Sequence, residues 1–408
     1  MEEKSLPLAG VKVVEMATVV AAPTTARMLC AYGAEVIKVE TLDGDVMRLA
    51  GTHEMTPYED DLNPLFTIHN SNKKFIALNF KTAAGKKVLL DLIADADIFI
   101  TNIREKSLVR NGLDYETVKK LNPGLIYGHF KGYGSKGPVA SNPGFDISAF
   151  WLRAGAIADW STVGSFPFLP TYAFGDMATS NAFLSGILMA LFAKAKTGKG
   201  TKVDTSLFSS GIWCNAIGVV QTQFDRKHLN PEPLCPSDPF SQTYCCKDGR
   251  WIGIYCNEYV ADKEHFAKLL HIEDMLEDPR YDSIETMHST GAIEEITARC
   301  NEIFLTRTAM EWRDYLSENN VSCEVMMESQ EVSRDPQAIE NGYMVPVEYP
   351  DANHTTVMMP APPIEFSDYG RRAYEPTGSI GQDTDEILKS MGYSEAEIQA
   401  MKEAGEIG

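Results

Sequence analysis

The chain has 408 residues, more than one compact core accommodates, because single cores stop growing near about 250–300 residues; two or three domains are expected. Hydrophobic residues make up 44%, charged residues 23% and aromatics 10%, a globular composition with a well-filled interior that excludes disordered and fibrous classes. The formal net charge of -20, from 57 acidic against 37 basic residues, sets the average surface against nucleic acid and anionic membranes, so an anionic ligand has to be gripped locally by a few cations and backbone amides.

No run approaches the roughly 18–20 consecutive apolar residues of a membrane span, and the start MEEKSLPLAG lacks a basic stretch followed by an apolar core. A cytoplasmic protein without a membrane or nucleic-acid partner is expected. The 8 cysteines are scattered without a C-x-x-C pair, and no histidine stands at metal-ligand spacing from them. They read as reduced thiols, and no metal is expected.

In chain order, the first hundred residues alternate strand-like and helix-like periods, as parallel α/β units do. VKVVEM (11–16) reads as a strand, 23–32 as a helix stopped by Gly33, and EVIKVE (35–40) as a second strand. FIALNF (75–80) and DIFITN (97–102) flank a helix over 83–94, and LIYGHF (125–130) follows a short helix beginning near Asp114. The spacing predicts an α/β fold built on a doubly wound parallel sheet. Residues 132–175 are rich in Gly, Pro and aromatics without a period, which predicts long ordered loops over a site. A helix over 177–195 ends at T-G-K-G, and TKVDTSLF (201–208) leads into another apolar helix toward Phe224.

The proline-rich segment 227–239 marks a boundary. Three spans are expected: 1–226 as the first part of a large α/β domain, 227–330 as a smaller α+β domain, and 331–408 returning to the large domain. The small domain opens with a hairpin around Asp248-Gly249 and continues with helical patterns over 259–319. EVMMES and YMVPVEYP follow as strands, then a terminal helix over 383–391.

The order strand, turn, helix, strand, acid over residues 11–40 imitates a dinucleotide site, with Glu40 where a ribose-binding carboxylate would stand. The turn ATVVAAPTTA, however, has no glycine to let a pyrophosphate approach the backbone, so a nicotinamide enzyme is the weaker alternative. Neither a G-x-S-x-G elbow nor a P-loop is present, which disfavours a serine hydrolase and a P-loop kinase.

Gly175-Asp176 opens the helix over 177–195. One reading makes Asp176 its N-cap; the other makes it a nucleophile, a carboxylate held ionised by the helix dipole beside free amides able to stabilise an oxyanion. Lys81, Arg104 and Arg110 follow strands at their carboxyl ends, where open α/β sheets bind ligands; they are either ordinary loop charges or phosphate contacts. The aromatics Phe145, Phe150, Trp151, Trp160, Phe166, Phe168, Tyr172 and Phe174 precede Asp176 and read equally as interface core or as the lining of an apolar pocket.

LAGVKVVEM, PTTARMLCAYGAEVIKVE, DGDVMR, NSNKKFIALNFKT, GYGSKGP, PGFD, the GD before a helix, and TGKGTKVDTSLF together resemble the family III CoA-transferases over nearly the whole chain. Within that family the chain is most similar to the branch that moves CoA onto (R)-2-hydroxy acids such as 2-hydroxyisocaproate and phenyllactate in amino-acid fermentation. The resemblance implies acyl-CoA and small carboxylic acid substrates, CoA as substrate with no other cofactor, an interlocked homodimer whose large domains use both chain ends, and Asp176 as nucleophile of a ping-pong reaction. It also implies CoA contacts from Val20 and Ala21, from Thr41, from Leu78, Asn79, Phe80 and Lys81, from Asn102, Ile103, Arg104 and Arg110, and from the loop Pro143, Gly144, Phe145 and Asp146. Val20 and Ala22 stand where some members carry Gln and Gly, Thr41 stands where others carry a basic residue, and no glycine-rich flap is visible over 235–240.

Two alternatives stay open. Racemases of the same superfamily carry G-H-D where this chain has Gly144-Phe145-Asp146, so this chain lacks the histidine base that proton abstraction uses. A non-catalytic CoA- or nucleotide-binding protein would share the fold without the nucleophile's chemistry.

Overall fold

The computed structural model describes residues 4–162, 164–170, 173–224 and 232–408. Six strands form one parallel sheet: β1 (Lys12–Met16), β2 (Glu35–Glu40), β3 (Lys74–Ala77), β4 (Ile98–Thr101), β5 (Ile126–Lys131) and β6 (Thr201–Ser206), in the order β3-β2-β1-β4-β5-β6. Each central strand is buried almost end to end, as expected where helices cover both faces of a parallel sheet. The helices that position the site are α1 (Ala21–Ala31), α2 (Ala83–Ala94), α3 (Glu105–Asn111), α4 (Phe174–Thr197), α5 (Leu207–Cys214) and α6 (Ala216–Gln221). Strand order reverses between β1 and β4, so a crevice opens at their carboxyl ends.

The chain divides into two compact units. The first contains Met1–Ala156, Leu169–Val220 and Asp335–Gly408, so both chain ends build the unit that carries the parallel sheet. The second contains Ile157–Phe168 and Gln221–Arg334. Its antiparallel sheet of β7 (Thr243–Cys245), β8 (Trp251–Tyr255) and β9 (Ser322–Val325) turns at Asp248-Gly249, with Gly249 in the left-handed region at φ 78°. Its core stacks Phe240 on Phe266 and Tyr244 on Phe304. Of the proline-rich segment 227–239, residues 227–231 lie outside the described residues.

Four local expectations are corrected. The strand expected to reach Phe80 stops at Ala77, because Leu78 pairs with Ile407, the Asn79 amide donates to Glu406 (2.8 Å), and the Gly408 amide donates to Ala77 (3.1 Å). T-K-V-D-T-S is itself an edge strand, β6, in register with β5 over six residues, where its polar alternation suits a one-sided position. Residues 132–175 hold a π-helical turn (Asp146–Leu152) and a helix (Ala156–Trp160) within what the composition marks as loops. The helix expected at 177–195 runs from Phe174 to Thr197 and stops at Gly198, φ 70°. Among the described residues this helix alone is long and apolar enough to cross a membrane; one face packs against α1, β5 and β6.

Candidate active site at the start of a core helix

Helix α4 begins without a cap of its own. Ala173, its N-cap residue, lies in the left-handed region and offers no side-chain acceptor, which leaves the first amides to be satisfied from elsewhere. Asp146, in the π-helical turn, supplies the acceptor: its Oδ1 takes the Asp176 N–H at 2.8 Å. Asp176 is therefore the third residue of the helix and the one being capped, which corrects its reading as the N-cap.

Gly175 makes this approach feasible, since a Cβ there would run into the Asp146 carboxylate and the Phe150 ring. A second close approach holds the preceding loop: a Cβ on Gly132 would lie 2.6 Å from the Gly144 Cα, and one on Gly144 equally close to Gly132, so the GYG and PGFD segments cross backbone to backbone.

Electrostatics separate the two carboxyls. Burial, and then the nearby Asp146 charge, push the Asp176 carboxyl up to about 7, although its place in the first helical turn favours the charged form. Burial also raises Asp146, opposed by hydrogen bonds from the Asp176 amide, the Trp151 side chain and the Gly175 amide. A partly buried carboxylate that ionises near neutrality is more basic, and so a stronger nucleophile once ionised, than an ordinary aspartate.

A pH dependence follows. The Asp176 carboxyl should titrate near pH 7, and Asp146→Asn, which keeps an acceptor for the Asp176 amide but removes the like charge, should move that titration to lower pH. The opposite shift, followed by NMR of the side-chain carboxyl carbon, would contradict this coupling. Because Asp176 binds its proton more tightly folded than at its ordinary value of 3.8, its contribution to stability is present at low pH and lost as pH rises to about 7. Asp176→Asn should accordingly raise the melting temperature above pH 7, with the difference narrowing below pH 4.

The structure places the other anticipated residues as follows. Val20 and Ala21 are buried at the start of α1, and Thr24 and Thr25 tie that helix to α4 through Met177 (3.7 Å) and the Ser180 carbonyl (3.1 Å). The first turn, residues 17–20, thus stands on the helix pair that carries Asp176. Asn102 bridges the strand crevice: its Oδ1 accepts the Thr18 N–H (3.1 Å) and its Nδ2 donates to the Thr18 carbonyl (2.8 Å). The Ile103 carbonyl accepts from the buried His129 ring at 2.8 Å, and burial lowers that imidazole to about 4.

Leu78 is core, and Asn79 donates to the Gly405 carbonyl; Phe80 packs beside that same core. Lys81, Arg104 and Arg110 are exposed, and none forms an ion pair with another described residue, so three free cations follow β3 and β4 in a strongly acidic chain. Thr41 is exposed, its hydroxyl donating to the Gly44 carbonyl (3.3 Å). Pro143 and Phe145 are exposed around the part-buried Gly144, while Asp146 is buried.

Of the aromatic set, Phe150 and Trp151 are buried behind Asp146, with the Trp151 ring 5.8 Å from that of Phe174. Phe145 and Phe174 are exposed, each within two residues of a site carboxylate. Trp160, Phe166 and Phe168 belong to the second unit, and Tyr172 lies outside the described residues. The capping role of Asp146 had no local signal, because it depends on an approach across thirty residues of chain.

The structure thus gathers a carboxyl pair at the start of α4 and exposed cations after β3 and β4 of a doubly wound sheet. The family model for CoA-transferase family III matches residues 8–384, and the chain belongs to that family. It is 37% identical to the (R)-2-hydroxy-4-methylpentanoate CoA-transferase of Clostridioides difficile, over 97% of this chain and 98% of that one. It is 33% identical to the cinnamoyl-CoA:phenyllactate CoA-transferase of Clostridium sporogenes, over 100% of this chain and 98% of that one. A solved CAIB/BAIF family protein from Brucella suis shares the fold with a TM-score of 0.80 at 27% identity, covering 95% of this chain and 100% of that one.

Proposed function

We propose that this CoA-transferase moves CoA from a 2-enoyl-CoA to a free (R)-2-hydroxy acid bearing a branched-aliphatic or aryl side chain, by ping-pong catalysis through Asp176. The Asp176 carboxylate attacks the thioester carbon and expels CoA thiolate, giving a mixed anhydride. The thiolate then attacks the aspartyl carbonyl, releasing the donor acid and leaving an aspartyl-CoA thioester. The incoming carboxylate attacks that thioester, the thiolate attacks the new acyl carbonyl, and Asp176 is regenerated. One thioester replaces another, so the reaction is written without ATP, metal or redox cofactor.

The observation that carries this reading is the Asp146-capped, burial-raised Asp176 at the start of α4. The exposed Phe145 and Phe174 beside it favour an apolar side chain on the acid, each buried CH₂ contributing about 0.8 kcal/mol. The named relatives act on acids of that kind. Phe145 in place of a histidine base argues against racemisation. A panel of free acids (2-hydroxyisocaproate, phenyllactate, lactate, oxalate and carnitine) against one acyl-CoA donor tests the substrate class. The first two should be used best; preference for oxalate or carnitine would overturn it.

The CoA phosphates are assigned to Lys81 and Arg110. Lys81→Ala should weaken acyl-CoA use about ten- to a hundredfold while the acid is affected far less, as expected for loss of a charge-assisted contact. Equal loss for both substrates would make Lys81 a solvated loop charge.

The proposal places the enzyme in the cytoplasm as a homodimer, away from membranes and nucleic acid. Apolar side chains left in water support the dimer: Met189 and Phe192 on α4, Trp213 on α5 and Ile217 on α6 are each at least 65% exposed. Light scattering should give twice the chain mass, and Trp213→Glu should lower it; a monomeric parent protein would contradict the dimer.

A further inference from the structure

Beneath the first turn lies an ion cluster that the transfer chemistry does not use. Lys38 Nζ is 2.8 Å from Glu15 and 2.9 Å from Asp45, Lys73 Nζ is 2.5 Å from Glu15, and Arg48 pairs with Glu40 at 2.8 Å. All six side chains are buried. Clusters of this kind are seldom worth their desolvation, and well-packed apolar residues often stabilise as much, so a role beyond stability is to be sought.

The cluster's contacts with the backbone supply one. Lys38 donates to the Ala17 carbonyl (2.8 Å), Lys73 donates to the Pro23 carbonyl (2.9 Å), and Asp45 Oδ1 accepts the Val19 N–H (3.1 Å). Three backbone groups in and beside the first turn are thus held by charge, which apolar packing cannot do. The central one is strained: Val19 lies at φ 68°, a left-handed conformation that is an outlier for a β-branched residue and persists only where its surroundings impose it. Thr18, its neighbour, is the residue clamped by Asn102 across the crevice, and Val20 and Ala21 follow directly.

We infer that Asp45, locked by Lys38, is a positioning residue for acyl-CoA: it holds Val19 left-handed and thereby fixes where Val20 and Ala21 stand at the β1–β4 crevice. This rests on the acyl-CoA reading of the crevice given above. Asp45 acts through the turn and not on the reacting atoms, so its loss bears on acyl-CoA binding and not on the transfer step.

Asp45→Ala should raise KM for acyl-CoA about tenfold, with kcat at saturating acyl-CoA and KM for the acid changed less than about threefold. Adding Val19→Gly should restore most of the acyl-CoA KM, because glycine adopts the left-handed region without a side-chain penalty. A merely structural Asp45 would change stability and not the acyl-CoA KM, which would leave the second substitution nothing to restore. Should Asp45→Ala fail to fold, Val19→Pro forces the turn to negative φ with the Lys38–Asp45 pair intact and should raise the same KM. An unchanged acyl-CoA KM in whichever of these variants folds, or no recovery in the double variant, would overturn the role of Asp45 alone. Failure of the unaltered protein to saturate with acyl-CoA would overturn the acyl-CoA reading and the inference with it.

Discussion

Replacing Asp176 with Ala is expected to lower CoA exchange between an acyl-CoA and a free acid by at least about 10³-fold, the scale of loss when a covalent nucleophile is removed. On the phosphate assignment proposed above, free CoA should still bind, because Lys81 and Arg110 are untouched and Asp146 remains in place. This split separates an enzyme from a binding protein: the same substitution in a binder would change neither CoA affinity nor an exchange rate that was absent from the start. Exchange retained by Asp176→Ala, measured by transfer of CoA to a labelled acid, would remove Asp176 from the chemistry.

Gly175→Ala is the second large effect. In the first turn of a 24-residue helix, alanine is favoured over glycine by about 1 kcal/mol on propensity alone. Packing opposes it, since the added Cβ meets the Asp146 carboxylate and the Phe150 ring. Asp146 must then withdraw from the Asp176 amide, and Asp176 shifts with it. Misplacement of a reacting group by an ångström costs on the order of a hundredfold, so turnover should fall about that much while the protein stays folded. Near-normal activity in Gly175→Ala would show that the Asp146–Asp176 contact is dispensable.

These two residues illustrate what the chain discloses and what it withholds. The parallel sheet was legible because its strands are continuous apolar runs with helical periods between them, a pattern that depends only on neighbours in sequence. Gly175-Asp176 stood out for the same reason, at the boundary between an aperiodic loop and a long helix. Its geometry did not, because the acceptor for the Asp176 amide comes from residue 146 through a π-helical turn inside a segment that composition marks as loop. The end of β3 is hidden likewise: FIALNF has strand character throughout, but Leu78 and Asn79 are claimed by residues 406–407, more than three hundred positions away. β6 was hidden by its polar alternation, which an edge position permits. Asp45 could be seen in D-G-D-V-M-R only as part of a resemblance, since nothing local links it to Val19.

The covalent account is tested most directly by mass spectrometry of the protein incubated with acyl-CoA and no acceptor acid. The peptide containing Asp176 should gain the mass of CoA, less water, should lose it on addition of hydroxylamine, and should show neither change in Asp176→Ala. An unmodified Asp176 peptide across good donor substrates, with exchange proceeding normally, would contradict it.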